Sequence, residues 1–191
     1  MEPNDELKQI VAPEKTAVLL WDVQNMLVEN IFNKDTFLSG TKGVLSSART
    51  MNIPVFYSKI TPLPDKFESP VRKHFRRNLF AKLLQIPNGF DLTIEPLANE
   101  TVILKNTASI FIGTNFEMQL RNAGITTIIF MGIATEIGIE SSARDALNRG
   151  FFPVIVTDAV SSMNQDAHNR SLENLKNMMI LLSSEELITL W

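Results

Sequence analysis

The sequence predicts an α/β protein: a doubly wound sheet of about six mostly parallel strands, with helices on both faces in three α/β/α layers. Two observations carry this reading. Short runs that are nearly continuous in Val, Ile, Leu, Phe or Met recur at fairly even spacing, the pattern of strands covered on both faces. Between them lie segments with helical start and stop signals, and such strand–helix alternation favours parallel strands joined by right-handed crossovers.

The predicted strands are Thr16–Trp21, Pro54–Ser58, Thr101–Lys105, Thr126–Gly132, Phe152–Asp158 and Met178–Ser184. A helix begins after Thr114, which forms a Thr-x-x-Glu capping box with Glu117; Phe116 and Leu120 mark its apolar face and Gly124 its stop. Ile139, Ala143, Ala146 and Leu147 keep helical spacing up to Gly150. Asn164 caps a helix carrying Leu172 and Leu175, and Ser183 with Glu186 forms a second capping box before Trp191. One segment breaks the rhythm. Lys59 to Glu100 contains Pro62, Pro64, Pro70, Pro87 and Pro96, and connections beyond roughly 15 residues usually carry helices of their own or act as lids. A helix is predicted over 69–84.

With 191 residues, 45% of them hydrophobic, the chain suits one core: a single domain over 1–191 with a short N-terminal extension of about 1–14. Lys and Arg number 18 against 21 Asp and Glu, a net charge of -3, so neither nucleic acid nor an anionic membrane is expected as a partner. Cysteine is absent, which excludes disulfides, thiolate metal sites and any cysteine nucleophile. Two histidines argue against a zinc site built from several imidazoles. The first residues lack a basic–apolar–small signal pattern, and no apolar run approaches the roughly 18 residues that span a bilayer. A soluble, cytoplasmic globular protein is the expectation.

In open parallel sheets, ligands bind beyond the carboxyl ends of the strands. That places Asp22, Ser58 with Lys59, Lys105, the Gly132–Gly138 turn and Asp158 on the candidate roster. A lone charge there is ordinarily just solvated, but an acid and an amine on separate strands, Asp22 and Lys105, can converge on one pocket. Thr135 is a candidate cap, which puts Gly138 in a first helical turn, where glycine costs about 1 kcal/mol relative to alanine. It suits either close approach of a ligand to backbone N–H groups or tight packing of helix on sheet. Gln24 is a candidate donor into the pocket. Phe111, Phe56 and Trp21 are candidates to wall a flat substrate, core packing being the ordinary alternative. The basic cluster Arg72, Lys73, His74, Arg76 and Arg77 is a solvated face or a lid whose arginines, Arg76 among them, meet an anionic substrate. No Gly-rich phosphate loop is present.

Four motifs in order, WDVQN (Trp21–Asn25), LKNTASIFIGT (Leu104–Thr114), GIATEIGIESSARDA (Gly132–Ala146) and VTDAVSS (Val156–Ser162), resemble the isochorismatase-like hydrolase superfamily over about Thr16 to Ser184. The resemblance implies a Rossmann-like sheet, usually of six strands, and a homo-oligomer. It assigns Asp22 as the catalytic aspartate and Lys105 as the catalytic lysine. Gly138 stands where the amidase branch carries its nucleophilic cysteine. It further implies a cis peptide between Ile133 and Ala134, with the N–H groups of Ala134 and Gly138 facing the substrate. His74 and His168 do not match the family's metal-binding positions, so neither metal nor cofactor is expected.

Without a thiol the acyl-enzyme route is closed, and Ser141 and Ser142 stand one turn away from the matched position. The isochorismatases proper also carry glycine there. By that analogy Asp22 protonates a vinyl ether as general acid and Gly138 leaves room for substrate or water. The turn GIATEIG nevertheless resembles the amidase branch with its cysteine replaced. Two alternatives stay open: direct water-mediated hydrolysis of an amide or ester, and a non-catalytic binding protein that lost the nucleophile.

Overall fold

Every residue of β1 (Thr16–Trp21) is buried, as suits a strand with neighbours on both sides and helices above and below. It pairs in parallel with β2 (Val55–Ile60) on one side and β4 (Thr127–Ile133) on the other. β3 (Thr101–Lys105) closes one edge, while β5 (Phe152–Ser161) and β6 (Ile180–Leu182) extend the other. The order is β3-β2-β1-β4-β5-β6, and all pairs are parallel. The computed structural model describes residues 3–61, 63–74 and 85–191. Because the chain winds outward from β1 in one direction and then from β4 in the other, the carboxyl ends of these two central strands border the switch point where such sheets bind ligands.

Strand alternation divides the core into two layers. Val18, Leu20, Tyr57, Ile129 and Met131 pack with Phe37, Val44 and Leu45 on one face. Leu19, Trp21, Phe56, Ile128 and Phe130 pack with Phe116, Ala143 and Ala146 on the other. The helices that supply these partners are α3 (Lys34–Thr50), α4 (Phe116–Asn122) and α5 (Glu140–Asn148), alongside α1 (Pro3–Ile10), α2 (Asn25–Val28), α6 (Gln165–Leu175) and α7 (Ser184–Leu190). Helix α1 falls in the expected N-terminal extension; just after it Val11 is fully buried, and its carbonyl accepts from Trp191 Nε1 at 2.8 Å. No helix among the described residues is long and apolar enough to cross a membrane.

Several local expectations shift. Asp158 does not end β5. It lies where that strand slips register, Phe130 facing Ile155 but Gly132 facing Val160, and its carboxylate accepts from Ser184 N (2.7 Å) and Ser184 Oγ (2.5 Å) at the start of α7. Asn164 and the Ser183–Glu186 box cap α6 and α7 as their sequence pattern predicts. Helix α4 starts differently: its N-cap is Asn115, and the Thr114 hydroxyl donates back to the Ile110 carbonyl, leaving Glu117 to pair with Arg121 and Arg149. In the long connection, 70–74 are helical, and Arg72 and Lys73 pair locally with Glu68 (3.3 Å) and Asp65 (2.6 Å). The remainder of the predicted helix, with Arg76 and Arg77, lies outside the described residues.

Candidate active site at the strand ends

Asp22 follows β1 directly, with the backbone turned into the left-handed region (φ 48°) that non-glycine residues seldom adopt. The turn aims its side chain across β2 toward β3. Ser58 Oγ donates to Asp22 Oδ1 at 2.5 Å and accepts from the Asp22 N–H at 3.1 Å. Lys105 Nζ donates to Asp22 Oδ2 at 2.5 Å and to the Thr107 carbonyl at 3.4 Å. The two charged side chains are 2% and 1% exposed, and buried charges persist only when paired and hydrogen-bonded in this way. The ammonium also lies 3.7 Å from the centroid of the Trp21 ring, a cation–π contact strengthened by desolvation. Ser58, seen in the sequence only as the close of a strand, is thus a direct partner of Asp22. Its neighbour Lys59 turns away to Asp91, 3.6 Å distant.

The peptide between Ile133 and Ala134 is cis, and a π-helical turn over Thr135–Ile139 follows it into α5. The Ala134 carbonyl accepts from three N–H groups, those of Ile137 (3.2 Å), Gly138 (3.0 Å) and Ile139 (3.3 Å). The Gly138 N–H therefore closes its own turn instead of facing a substrate. The Ala134 N–H meets no acceptor among the described residues. Thr135 does not cap the helix either; its hydroxyl bonds the Ser161 carbonyl at 3.1 Å and His168 Nδ1 at 2.8 Å. Ser142 is held against Ala108 and Ile110, so it has no nucleophile's position.

Gly138 does not open space for a reactant. A Cβ built there would stand 1.8 Å from Trp21 Nε1 and 2.2 Å from Trp21 Cε2, so the indole fills the volume that a side chain at 138 would need. Gly132 makes the matching approach lower down, where a Cβ would meet the Trp21 carbonyl oxygen at 2.0 Å. Both glycines are required by the backbone and ring of one tryptophan.

What remains is a partly open cavity of about 70 Å³, bordered by Asp22, Lys105 and Trp21 on one side, by Ile133, Ala134 and Gly138 on another, and lined elsewhere by apolar side chains that include Met26, Ile137 and Met163. It is well below the roughly 300–1,000 Å³ of pockets that take drug-sized ligands. The other predicted substrate contacts separate. Gln24 is fully buried, and its amide is used on main chain: Nε2 donates to the carbonyls of Ile60 (3.2 Å) and Phe90 (2.8 Å), and Oε1 accepts from the Ile60 N–H (2.9 Å). Phe111 packs in the core against Phe116 and Phe151, as Phe56 does against Phe116, so neither walls the cavity. Arg76 is outside the described residues. Among those residues no cluster of His, Asp and Glu could hold a metal ion.

Burial holds His168 below its ordinary pKa, against the pull of the Glu136 carboxylate. The unfolded chain then binds a proton that the folded chain resists. The resulting stabilisation is complete above about pH 6.5 and is lost as pH falls from there toward the depressed folded value. Thermal unfolding midpoints between pH 7 and 5 are expected to fall more steeply for the native chain than for His168→Gln; equal slopes would remove this assignment.

A family model described as the isochorismatase domain matches residues 16–186. An uncharacterized isochorismatase family protein of Escherichia coli O157:H7, YecD, is 45% identical over 73 residues, covering 38% of this chain and 39% of that protein. The ureidoacrylate amidohydrolase RutB of Methylobacterium radiotolerans is 30% identical over 86% of this chain and 74% of its own length. The alignment thus spans well under half of the first relative. The crystal structure of a cysteine hydrolase from Pseudomonas syringae pv. phaseolicola 1448A superposes with a TM-score of 0.86 at 20% identity, covering 95% of this chain and 94% of that one, which shows a shared fold. Six parallel strands in this order, a carboxylate–ammonium pair at their carboxyl ends and the matched domain model lead to one conclusion: the chain is a member of the isochorismatase family of hydrolases.

Proposed function

We propose that this protein hydrolyses a small molecule by direct addition of water, with no covalent enzyme intermediate, using Asp22 to move the proton and Lys105 to organise charge. The observation that carries this reading is the 2.5 Å Asp22–Lys105 contact bordering the cavity, beside a nucleophile position that an indole already fills.

The first reaction to test is vinyl-ether hydrolysis of isochorismate. Asp22 donates its proton to the methylene carbon, whose π electrons form the new C–H bond and leave an oxocarbenium carbon. Water adds to that carbon and returns a proton to Asp22. The hemiketal then breaks its C–O bond, giving pyruvate and the ring alcohol, with the hydroxyl proton passing to the departing oxygen. For Asp22 to carry the initial proton, its partners must loosen. Substrate carboxylates drawn to Lys105 compete for the ammonium that otherwise favours the ionised aspartate. Asp22→Asn is expected to reduce pyruvate release by about 10²–10⁴-fold, the usual contribution of a positioned acid or base. Absence of pyruvate at saturating isochorismate would exclude this reaction.

A second reading is favoured by the hydrogen bonds of Asp22 itself. Accepting from Ser58 and Lys105 suits a carboxylate. As a general base it would take a proton from water attacking an amide or ester, the class of reaction named for the ureidoacrylate amidohydrolase relative. Turnover across an amide and ester panel, again lost in Asp22→Asn, distinguishes this from the vinyl-ether route.

A further inference from the structure

Trp21 does more at this site than fill a core. Its ring carries the Lys105 ammonium on one face, 3.7 Å from the centroid, and its Nε1 edge abuts Gly138. The residue borders the cavity, yet its indole N–H has no acceptor among the described residues. The other tryptophan differs: Trp191 Nε1 donates to the Val11 carbonyl at 2.8 Å. Indole N–H groups in protein interiors ordinarily find a partner; among the described residues the fully enclosed unpartnered side-chain atoms are Thr41 Oγ1 and Glu136 Oε2, so the Trp21 N–H is left open to the space beside it. A second unmet donor, the Ala134 N–H, belongs to a residue on the same cavity, whereas the N–H of Gly138 is engaged by the Ala134 carbonyl.

We infer that Trp21 is a substrate-holding residue: its indole N–H, together with the Ala134 N–H, receives the carbonyl or carboxylate oxygen of the substrate, taking over at position 138 both the volume of a nucleophile and the donor role of the backbone. The inference rests on this cavity being the reacting site and adds the substrate feature it selects, a small acceptor oxygen presented edge-on to the indole. Lys105 over the ring face assists, since a cation there draws electron density from the indole and makes its N–H a better donor. The cavity is about 70 Å³, so the group that enters it is compact, such as a carboxylate or amide head, while the rest of the substrate lies toward its mouth.

The test uses the intact native chain labelled with ¹⁵N-tryptophan, whose two indole signals report the two residues separately. Acetamide and acetate serve as neutral and anionic probes. Titration with either is expected to move the Trp21 Nε1–H signal downfield and saturably, while the Trp191 signal stays fixed. A Trp21 signal that ignores both probes, or two signals that drift together without saturating, overturns the proposal. Trp21→Phe keeps a ring in place and removes the donor. Probe binding, followed by relaxation of the probe's own protons, should then weaken roughly tenfold for one lost hydrogen bond; unchanged binding would refute the donor role. Should that variant fail to fold, the native titration decides alone. Because no turnover is measured, a failure of the hydrolase reading would appear separately, as binding without reaction.

Discussion

Lys105→Met is expected to be the most damaging single substitution at the site. It removes the ammonium and leaves the buried Asp22 carboxylate, still bonded by Ser58, without its cation. Stripping one member from a buried ion pair typically costs about 3–5 kcal/mol. In a chain of this size that lowers the unfolding midpoint by about 6–20 °C. Adding Asp22→Asn in the same chain should recover a large part of the loss, because the lone charge disappears. Denaturant unfolding of the two single variants and the double completes the cycle. If Lys105→Met and the double variant are equally unstable, the penalty comes from lost packing against Trp21 and not from an uncompensated carboxylate.

Gly138→Cys gives the second large effect, and it separates this chain from a thiol hydrolase with one atom missing. Restoring the thiol should not restore acyl-transfer chemistry, because its Cβ would lie 1.8 Å from the indole nitrogen and the ring has to leave before the sulfur can enter. Overpacking of this kind costs about 1–3 kcal/mol and often more, or roughly 2–12 °C in unfolding midpoint. Trp21→Val alone opens a cavity, with a cost near the 3–5 kcal/mol of large-to-small changes at aromatic positions. Joined to Gly138→Cys, however, each change relieves the other. The double variant should therefore be more stable than the sum of the singles, by about 0.5–3 kcal/mol. Strict additivity would mean that the turn moves aside and that the two positions do not share a volume.

These two experiments mark where the sequence was informative. The apolar run Thr16–Trp21 coincides with β1, because a strand buried on both faces announces itself in consecutive residues; the run Thr101–Lys105 coincides with β3 although that edge strand leaves Val102 and Leu104 exposed. The Ser183–Glu186 box was equally readable, since both partners lie within one turn. Helix α3 is not legible in the sequence. Phe37, Thr41, Val44, Leu45 and Ala48 hold its helical spacing, but Gly40, Gly43 and a scatter of Ser and Thr dilute the apolar signal, and tertiary packing supplies what propensity lacks. Asp22 and Lys105 could be named from strand ends alone. Their common partner Ser58 could not, nor could the occupant of the space beside Gly138, because each depends on residues brought together from distant parts of the chain. The partners of Gln24 are not legible in the sequence either: a buried amide bonds the nearest complementary groups, and here those are backbone.

That choice of partner has an evolutionary corollary. Gln24 grips peptide groups at Ile60 and Phe90, and further bonds to the same stretch are also made through main chain, from the N–H groups of Asn25 and Met26 to the carbonyls of Asp91 and Gly89. Such a clasp is indifferent to which side chains its client carries. Homologues can therefore rewrite the sequence between these anchorage points, even exchange its charge or length, and still hold the anchored ends in place. Diversification of specificity would then proceed in the tethered insert while the glutamine stays put.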